Sequence, residues 1–299
     1  MFIGVDIGGT SLRIGLVDEL GNASFIEIVN QESIFTGNSV EALCTFIGDY
    51  ISRNREDING ISITLPGTLN KEKSVVMSLP NVHGLDGQPL RDILQTRFNV
   101  PVYLIKDVNA LYTYDVKRMQ LIEEGVIIAC YVGTGFGNAI SIEGKLLYGS
   151  NGACGELGHI PIWGYDNVQC GCGNTCCAEV LTAGVRLRQI QNEYFPQTDI
   201  GELFTKHSNH PVLLEFVSMM AAVIATEINI LDPNIVILGG GVISMEDFPK
   251  KFLEERIRYH ARKPFPESNL NFVYSESFGE NGVIGAAIYG WKNLQRTVS

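Results

Sequence analysis

The sequence has few charged side chains, and basic ones are scarcer than acidic ones. Charged residues make up 18% of the 299 residues, and 22 lysines and arginines stand against 33 aspartates and glutamates, for a formal net charge of −11. Nucleic-acid affinity comes chiefly from basic groups that displace counterions from phosphates. We therefore expect no nucleic-acid partner. Because 45% of the residues are hydrophobic, an intrinsically disordered chain is excluded as well.

The sequence also lacks the signals that direct a chain into or across a membrane. Its N-terminus, Met-Phe-Ile-Gly-Val-Asp, has no positively charged region ahead of an apolar stretch. Its continuous apolar runs are shorter than the roughly 20 residues that a membrane-spanning helix needs. These absences predict a cytoplasmic protein with no membrane partner.

A serine- or proline-rich linker is absent too, although the chain length suggests two domains of about 150 residues each. Residues 2–17 alternate apolar with small or polar positions on both sides of Gly8-Gly9-Thr10. Residues 125–142 repeat this arrangement around Gly133-Thr134-Gly135-Phe136-Gly137. Each segment is predicted to form a β-hairpin around a glycine-rich turn. The sequence therefore predicts two repeated α/β domains whose turns face a shared cleft.

The two glycine-rich turns are candidates for phosphate binding. Glycines let backbone N–H groups reach a phosphate, Thr10 adds a hydroxyl donor, and Asp6 can hold a hydrated Mg²⁺. The first turn alone is explained equally well as an ordinary hairpin. A second glycine loop at the equivalent place favours a nucleotide site. At Gly239-Gly240-Gly241 the backbone can approach a ligand closely, and this segment is suited to bind the adenosine. The alternative explanation is a turn that requires glycine because of a positive φ.

Asp107 follows a predicted strand at 102–105 and opens a predicted helix. Aspartate is a favoured helix N-cap, so a structural role is the simpler explanation. A carboxylate at the end of a strand can also accept the proton of a substrate hydroxyl that attacks a γ-phosphate. Its expected position, facing the predicted cleft, favours the role of general base.

The sequence contains seven cysteines, and four of them crowd into one short loop. These four are Cys170, Cys172, Cys176 and Cys177. In a reducing compartment such clustering indicates a metal site rather than disulfides. Three thiolates with His159 would form a closed tetrahedral site of the structural zinc type. The spacing leaves open whether Cys176 or Cys177 is the third thiolate. Glu156 and Glu179 flank this segment and are expected to hydrogen-bond a polyol.

The order of motifs along the chain resembles the ROK family of bacterial sugar kinases and sugar-responsive repressors. The motifs between Asp6 and Gly241 are Asp-x-Gly-Gly-Thr, Pro-Gly, Pro-Asn, Asp-x-Asn, Gly-Thr-Gly-x-Gly, Glu-x-Gly-His, Cys-x-Cys-Gly and Gly-Gly-Gly. The resemblance implies an α/β chain with an actin/hexokinase-like ATPase fold, in which two ribonuclease-H-like domains flank a cleft for ATP and sugar. It implies an N-terminal domain at 1–115 with a returning helix at about 283–299, and a C-terminal domain at 116–282. It also implies a homo-oligomer, commonly a dimer.

The resemblance further implies roles for single residues, with ATP, Mg²⁺ and a structural Zn²⁺ as cofactors. Asp107 would be the base that activates a sugar hydroxyl. The sugar would be bound by Gly67, Asn81, Lys106, Asp107, Asn109, Glu156, His159 and Glu179. ATP would be bound by Asp6, Ile7, Gly8, Gly9, Thr10, Ser11, Arg13, Gly133, Thr134, Gly135, Gly137, Gly240 and Gly241. Zinc would be held by His159, Cys170, Cys172 and Cys177.

Two positions depart from the family pattern. Family kinases usually carry asparagine immediately before the catalytic aspartate, where this chain has Lys106. The identity of the substrate sugar therefore cannot be inferred from glucose or N-acetylmannosamine kinases. Cys176 stands where the family loop normally has glycine. Repressors of the family add an N-terminal helix-turn-helix segment, whereas the strand pattern here begins at Phe2.

The prediction is therefore a kinase that phosphorylates a hexose or β-glucoside at the 6-hydroxyl. The alternatives are an N-acetylmannosamine or allose kinase, or a sugar-sensing regulator without a DNA-binding domain.

Overall fold

The computed structural model divides into two compact units. It describes the chain except for Thr36, Pro80, Asn81, His83, Asp166, Ser277, Phe278 and Ser299 and the side chains of Thr297 and Val298. Unit 1 comprises Met1–Ile122, Tyr148–Cys154 and Phe278–Ser299, and unit 2 comprises Glu123–Leu147 and Gly155–Ser277. The first boundary thus lies a few residues beyond the predicted one, and Tyr148–Cys154 packs with unit 1 although the prediction grouped it with the C-terminal domain.

Strands and helices alternate along much of the chain. The strands are β1 (Phe2–Ile7), β2 (Ser11–Val17), β3 (Ala23–Asn30), β4 (Gly60–Leu65), β5 (Thr68–Leu69), β6 (Val76–Ser78), β7 (Val102–Lys106), β8 (Val126–Val132), β9 (Phe136–Ile142), β10 (Lys145–Leu146), β11 (Ile235–Gly239) and β12 (Phe272–Tyr274). The helices are α1 (Gln31–Ile34), α2 (Ser39–Asn54), α3 (Leu90–Phe98), α4 (Asp107–Arg118), α5 (Glu179–Thr182), α6 (Gly184–Tyr194), α7 (Leu203–His207), α8 (Pro211–Leu231), α9 (Lys250–His260) and α10 (Asn281–Val298). Short 3₁₀ turns span Leu157–His159, Ile200–Glu202 and Glu267–Asn269.

Unit 1 is built on a five-stranded sheet with the order β3-β2-β1-β4-β7. The β1–β2 hairpin is antiparallel, while β1, β4 and β7 run parallel. Apolar residues of the sheet pack against α2. Asn38 is the N-cap of α2, and its side chain accepts hydrogen bonds from the Val40 and Glu41 N–H groups. The predicted hairpin around the first glycine turn is confirmed.

Unit 2 repeats the plan with a sheet of the order β10-β9-β8-β11-β12. Here β8 and β9 form the antiparallel hairpin, and β8, β11 and β12 run parallel. The two units therefore share a hairpin followed by parallel strands, as the repeated strand–glycine turn–strand pattern predicts.

Helix α8 is long and apolar enough, by length and composition alone, to cross a membrane. No continuous apolar run marks this helix in the sequence, because Glu215 and Glu227 interrupt its apolar residues. In the structure, 56% of its most apolar 18-residue window is buried. Its buried residues, among them Phe216, Val217 and Met220, belong to the core of unit 2. This packing is that of a core helix.

The core of unit 2 contains one buried acidic network that joins α8 to the sheet. Glu227 on α8 is 5% exposed, and Asn138 on β9 is 1% exposed. Asn138 Nδ2 donates to Glu227 Oε2 at 2.8 Å and to the Ala129 carbonyl oxygen at 3.2 Å, and Cys130 Sγ lies 3.8 Å from the same Glu227 oxygen. Burial raises the pKa of Glu227 to about 7, although the hydrogen bonds from Asn138 and Cys130 oppose the rise.

This raised pKa predicts a pH-dependent stability that the variant Glu227→Gln removes. The unfolded chain releases the proton near pH 4.5, whereas the folded chain keeps it until about pH 7. Stability from this group is therefore present below pH 4.5 and is lost as the pH rises through 7. At about 1.4 kcal/mol per pKa unit, the full loss is about 3.5 kcal/mol.

Urea unfolding at pH 5 and pH 7.5 measures this loss. We expect the wild type to lose about 2.4 kcal/mol more than Glu227→Gln between the two values, because part of the full loss falls below pH 5. Parallel pH profiles for the two proteins would contradict the prediction.

Candidate functional site

The predicted catalytic residues of unit 1 lie at one edge of its sheet. In the parallel register Asp6 on β1 pairs with Thr64 on β4, and Thr64 pairs with Ile105 on β7. Gly67 follows β4 by two residues, and Asp107 follows β7 directly. Ligands of open α/β sheets bind beyond the carboxyl ends of the strands. The structure therefore brings Asp6, Gly67 and Asp107 to the edge where such ligands bind.

Asp6 forms an ion pair across the first hairpin. Its Oδ2 lies 3.1 Å from Arg13 Nη1 on β2. Burial raises the pKa of Asp6, and the Arg13 guanidinium opposes this rise. Carboxylate oxygens are the protein ligands that Mg²⁺ prefers, so the chemistry of Asp6 fits the predicted metal role. A bound cation would also favour its charged form.

The first turn of α10 restricts the space around Asp6. A Cβ atom added at Gly282 would lie 2.6 Å from Asp6 Cγ and 2.7 Å from Asp6 Oδ2. We predict that Gly282→Ala displaces the carboxylate and lowers the free energy of unfolding by about 1–3 kcal/mol, as overpacking does. Gly279→Ala is the matched control, since a Cβ there meets nothing within 4 Å. Urea unfolding of both variants checks this; equal stabilities would contradict it.

The first glycine turn uses part of its hydrogen-bonding capacity internally. The Gly8 N–H donates to the Ser11 carbonyl at 2.9 Å, and the Thr10 carbonyl accepts from the Gln31 N–H at 3.1 Å. Gly9 and Thr10 are exposed, whereas the Ile7 side chain is fully buried in the core. Gly9 and Thr10 are therefore the residues of this turn best placed to meet a phosphate.

Asp107 is the first residue of α4, and Lys106 occupies the N-cap position. The N-cap explanation considered for Asp107 is therefore wrong. The half-buried Asp107 accepts a hydrogen bond at Oδ1 from the Val108 N–H at 2.8 Å. A carboxylate in the first turn is also favoured by the helix dipole. Lys106 is 7% exposed and Asn109 is 3% exposed, so both predicted sugar residues lie mostly inside the protein. Asn81 lies outside the described residues.

The glycine loop of unit 2 is held by elements distant in sequence. The Gly184 N–H at the start of α6 donates to the Gly133 carbonyl at 2.8 Å, and the Val185 N–H donates to the Thr134 carbonyl at 3.2 Å. Glu179 Oε2 accepts from the Phe136 N–H at 2.9 Å. One oxygen of this predicted sugar ligand is thus engaged by the loop. The sequence carried no signal for this contact between residues 43 positions apart.

The second and third glycine segments lie side by side. Gly240 has a φ of +91°, and a Cβ on it would lie 2.5 Å from Val132 N, so the chain requires glycine there. Gly241 is exposed, and a Cβ on it would meet nothing within 4 Å. A Cβ on Gly133 would lie 3.9 Å from Gly241 N. Unit 2 therefore places an open glycine backbone beside the Gly133–Gly137 loop, as a nucleotide site requires.

One group of potential metal ligands stands out among the described residues of unit 2. The ligand atoms of His159, Cys170, Cys172 and Cys177 all lie within 4.8 Å of one another. Cys170 Sγ is 3.7 Å from His159 Nδ1, and Cys172 Sγ is 3.6 Å from Cys177 Sγ. Tetrahedral zinc with Zn–S bonds of about 2.3 Å separates its ligand atoms by about 3.5–3.8 Å. The donor set and its spacing therefore fit zinc.

Cys176 has a different position from the four grouped ligands. It adopts a φ of +54°, in the left-handed region where glycine is favoured. This backbone conformation explains why a related loop would carry glycine there. Cys177 therefore belongs to the cluster with His159, Cys170 and Cys172, and Cys176 lies outside it.

His159 links the metal cluster to a predicted sugar ligand. Its Nδ1 faces Cys170, while its Nε2 lies 3.7 Å from Glu156 Oε2. A metal bound at Nδ1 would fix the ring and leave Nε2 toward the carboxylate. A metal at the cluster can therefore orient Glu156 without touching substrate.

Comparisons with known proteins agree with this architecture. A sequence model of the ROK family matches residues 2–292. The chain is 25% identical over 307 residues to an N-acetyl-D-glucosamine kinase from Histophilus somni, with 96% of this chain and 98% of the relative covered. It is 28% identical over 279 residues to a xylose repressor from Caldicellulosiruptor bescii, with 85% of this chain and 68% of the repressor covered.

Among solved structures, a ROK family glucokinase from Streptomyces griseus, in complex with glucose and AMPPNP, is similar throughout. Its TM-score is 0.77 at 25% identity, with 96% of this chain and 97% of that chain covered. The family match spans nearly the whole sequence, and the solved relative extends the similarity to the fold. The chain therefore belongs to the ROK family and has its actin/hexokinase-like ATPase fold.

Proposed function

We propose that the protein is an ATP-dependent sugar kinase that transfers the γ-phosphate of ATP to a hydroxyl group of a hexose or β-glucoside. The observation that carries the proposal is Asp107, a carboxylate at the carboxyl end of β7 on the same sheet edge as Asp6. Relatives named N-acetyl-D-glucosamine kinase and glucokinase support this class of reaction.

Unit 1 supplies the base. Asp107 accepts the proton of the sugar hydroxyl as that oxygen attacks the γ-phosphorus, and ADP leaves. Asp6 would hold Mg²⁺, which supplies charge neutralisation on the phosphates when bound with ATP. Arg13 keeps Asp6 in place through their ion pair. Gly9 and Thr10 donate hydrogen bonds to phosphate oxygens.

Unit 2 supplies nucleotide and sugar contacts. The Gly133–Gly137 loop and Gly240-Gly241 bind ATP through backbone that no Cβ obstructs. Glu156 hydrogen-bonds sugar hydroxyls, and His159 orients it. His159, Cys170, Cys172 and Cys177 would hold a structural zinc ion, which would stabilise the loop and take no part in the chemistry.

The acceptor is a hexose or β-glucoside, phosphorylated at its primary 6-hydroxyl. Lys106 precedes Asp107 where family kinases usually carry asparagine, so the substrate is not inferred from glucose or N-acetylmannosamine kinases, and allose and β-glucosides are candidates. The enzyme acts in the cytoplasm, where ATP is available, and as a homo-oligomer.

ADP release with Mg-ATP across a sugar panel tests the proposal. The panel contains glucose, mannose, N-acetylglucosamine, N-acetylmannosamine, allose, fructose, cellobiose and simple β-glucosides. Sugar-dependent release with at least one member is the expected result. A preference for cellobiose would indicate a pocket open at the anomeric end. No ADP release with any sugar of the panel, from protein that binds ATP, would overturn the proposed kinase function.

The similarity to a xylose repressor favours one alternative, a sugar-sensing regulator. That function needs sugar binding but no phosphoryl transfer. Calorimetric sugar binding without ADP release would therefore support the regulator over the kinase.

A further inference from the structure

The buried Glu227–Asn138 pair lies directly beneath the segment that carries Glu156. Gly155 precedes Glu156 and has a φ of +81°. A Cβ on Gly155 would lie 2.6 Å from the Asn138 carbonyl oxygen and 3.1 Å from Asn138 Oδ1. The backbone of Gly155 therefore rests against both the main chain and the side-chain amide of Asn138.

The two polar atoms of the Asn138 amide have different surroundings. Its Nδ2 donates to Glu227 Oε2 at 2.8 Å and to the Ala129 carbonyl at 3.2 Å. Its Oδ1 is buried and, among the described residues, has no hydrogen-bond donor. A buried acceptor without a hydrogen-bond donor lowers the stability of the fold. The amide keeps this orientation because Glu227 and Ala129 accept hydrogen bonds from its Nδ2.

From this arrangement we propose that Glu227 is a positioning residue for sugar binding. Glu227 fixes the Asn138 amide, and the amide supports the backbone of Gly155. Gly155 in turn sets the position of Glu156, the N-cap residue of the 3₁₀ turn Leu157–His159. The inference rests on the proposed function, since it takes Glu156 as a sugar ligand.

The glycine loop ahead of Asn138 has independent supports. Gly133, Thr134 and Phe136 are held by Gly184, Val185 and Glu179, and the Gly133 N–H donates to the Gly135 carbonyl at 2.9 Å. Loss of the Glu227 carboxylate should therefore move Gly155 and spare the predicted nucleotide loop. This separates sugar binding from ATP binding in a measurable way.

The test compares Glu227→Leu with Glu227→Gln. Leucine removes the acceptor for Asn138, whereas glutamine retains an acceptor oxygen. We expect Glu227→Leu to raise the sugar KM about tenfold, with the ATP KM changed less than about twofold, and Glu227→Gln to restore the wild-type sugar KM. Glu215→Leu, at an exposed glutamate of the same helix, is the matched control.

An unchanged sugar KM in folded Glu227→Leu would overturn the inference, and so would equal rises in the sugar and ATP KM values, which indicate general loosening. If Glu227→Leu does not fold, Asn138→Ser decides in the same way, because it removes the amide beneath Gly155. A wild type silent with every sugar contradicts the proposed function instead. In that case the sugar dissociation constants of the same variants decide this inference.

Discussion

Asp107→Asn is expected to lower kcat about a thousandfold, because a positioned general base contributes typically 10²–10⁴-fold to such a reaction. Asparagine has nearly the size of aspartate and cannot accept the proton. The Val108 N–H can still donate to its side-chain oxygen, so the first turn of α4 keeps its local hydrogen bond. The sugar dissociation constant should therefore change less than about threefold.

ADP release and calorimetric sugar binding together check this prediction. Asp49→Asn is the matched control, because Asp49 is an exposed aspartate of α2 in the same unit and should have wild-type kcat. Full turnover in Asp107→Asn would remove Asp107 from the role of base. Loss of sugar binding in parallel with turnover would show a binding residue instead.

Cys177→Ser is expected to release the metal, whereas Cys176→Ser is expected to keep it. Cys177 Sγ belongs to the four-ligand group, and Cys176 lies outside it. Serine is a poor ligand for zinc, and structural zinc contributes directly to folding. Metal content should fall from about one zinc per chain to below about one tenth in Cys177→Ser, and the melting temperature should fall with it.

Elemental analysis of the two purified variants checks this prediction. The pair forms its own control, since both change a cysteine to serine at neighbouring positions of one loop. Retention of zinc in Cys177→Ser with loss in Cys176→Ser would reverse the assignment. Zinc-free, fully stable wild type would contradict the metal site itself.

Much of the fold was accessible from the sequence because its signals are local. Alternating apolar residues on both sides of Gly8-Gly9-Thr10 and of Gly133–Gly137 predicted both hairpins, and the structure has them. Helix α8 was not predicted, because Glu215 and Glu227 interrupt its apolar residues. The buried Glu227 carboxylate accepts a hydrogen bond from Asn138, which is 89 positions away in the sequence. The periodicity of apolar residues does not reveal a contact at that separation.

In the candidate site, too, local features were predictable from the sequence and tertiary contacts were not. The Cys-x-Cys loop with His159 indicated a metal site, but its spacing left Cys176 and Cys177 open, and only the family resemblance implied Cys177. The structure brings Cys177 Sγ within 4.8 Å of the other three ligand atoms. Likewise the Glu179 carboxylate accepts from the Phe136 N–H, a contact between a helix start and a hairpin. Such contacts arise only from tertiary packing.

Phosphorus NMR of the wild-type reaction with Mg-ATP and the best sugar of the panel tests the central claim most directly. The account predicts that the ATP γ-phosphate signal is replaced by equal amounts of ADP and one phosphomonoester, whose coupling to two protons identifies the primary 6-hydroxyl as the acceptor. ATP loss into inorganic phosphate alone, or an unchanged spectrum, would contradict it.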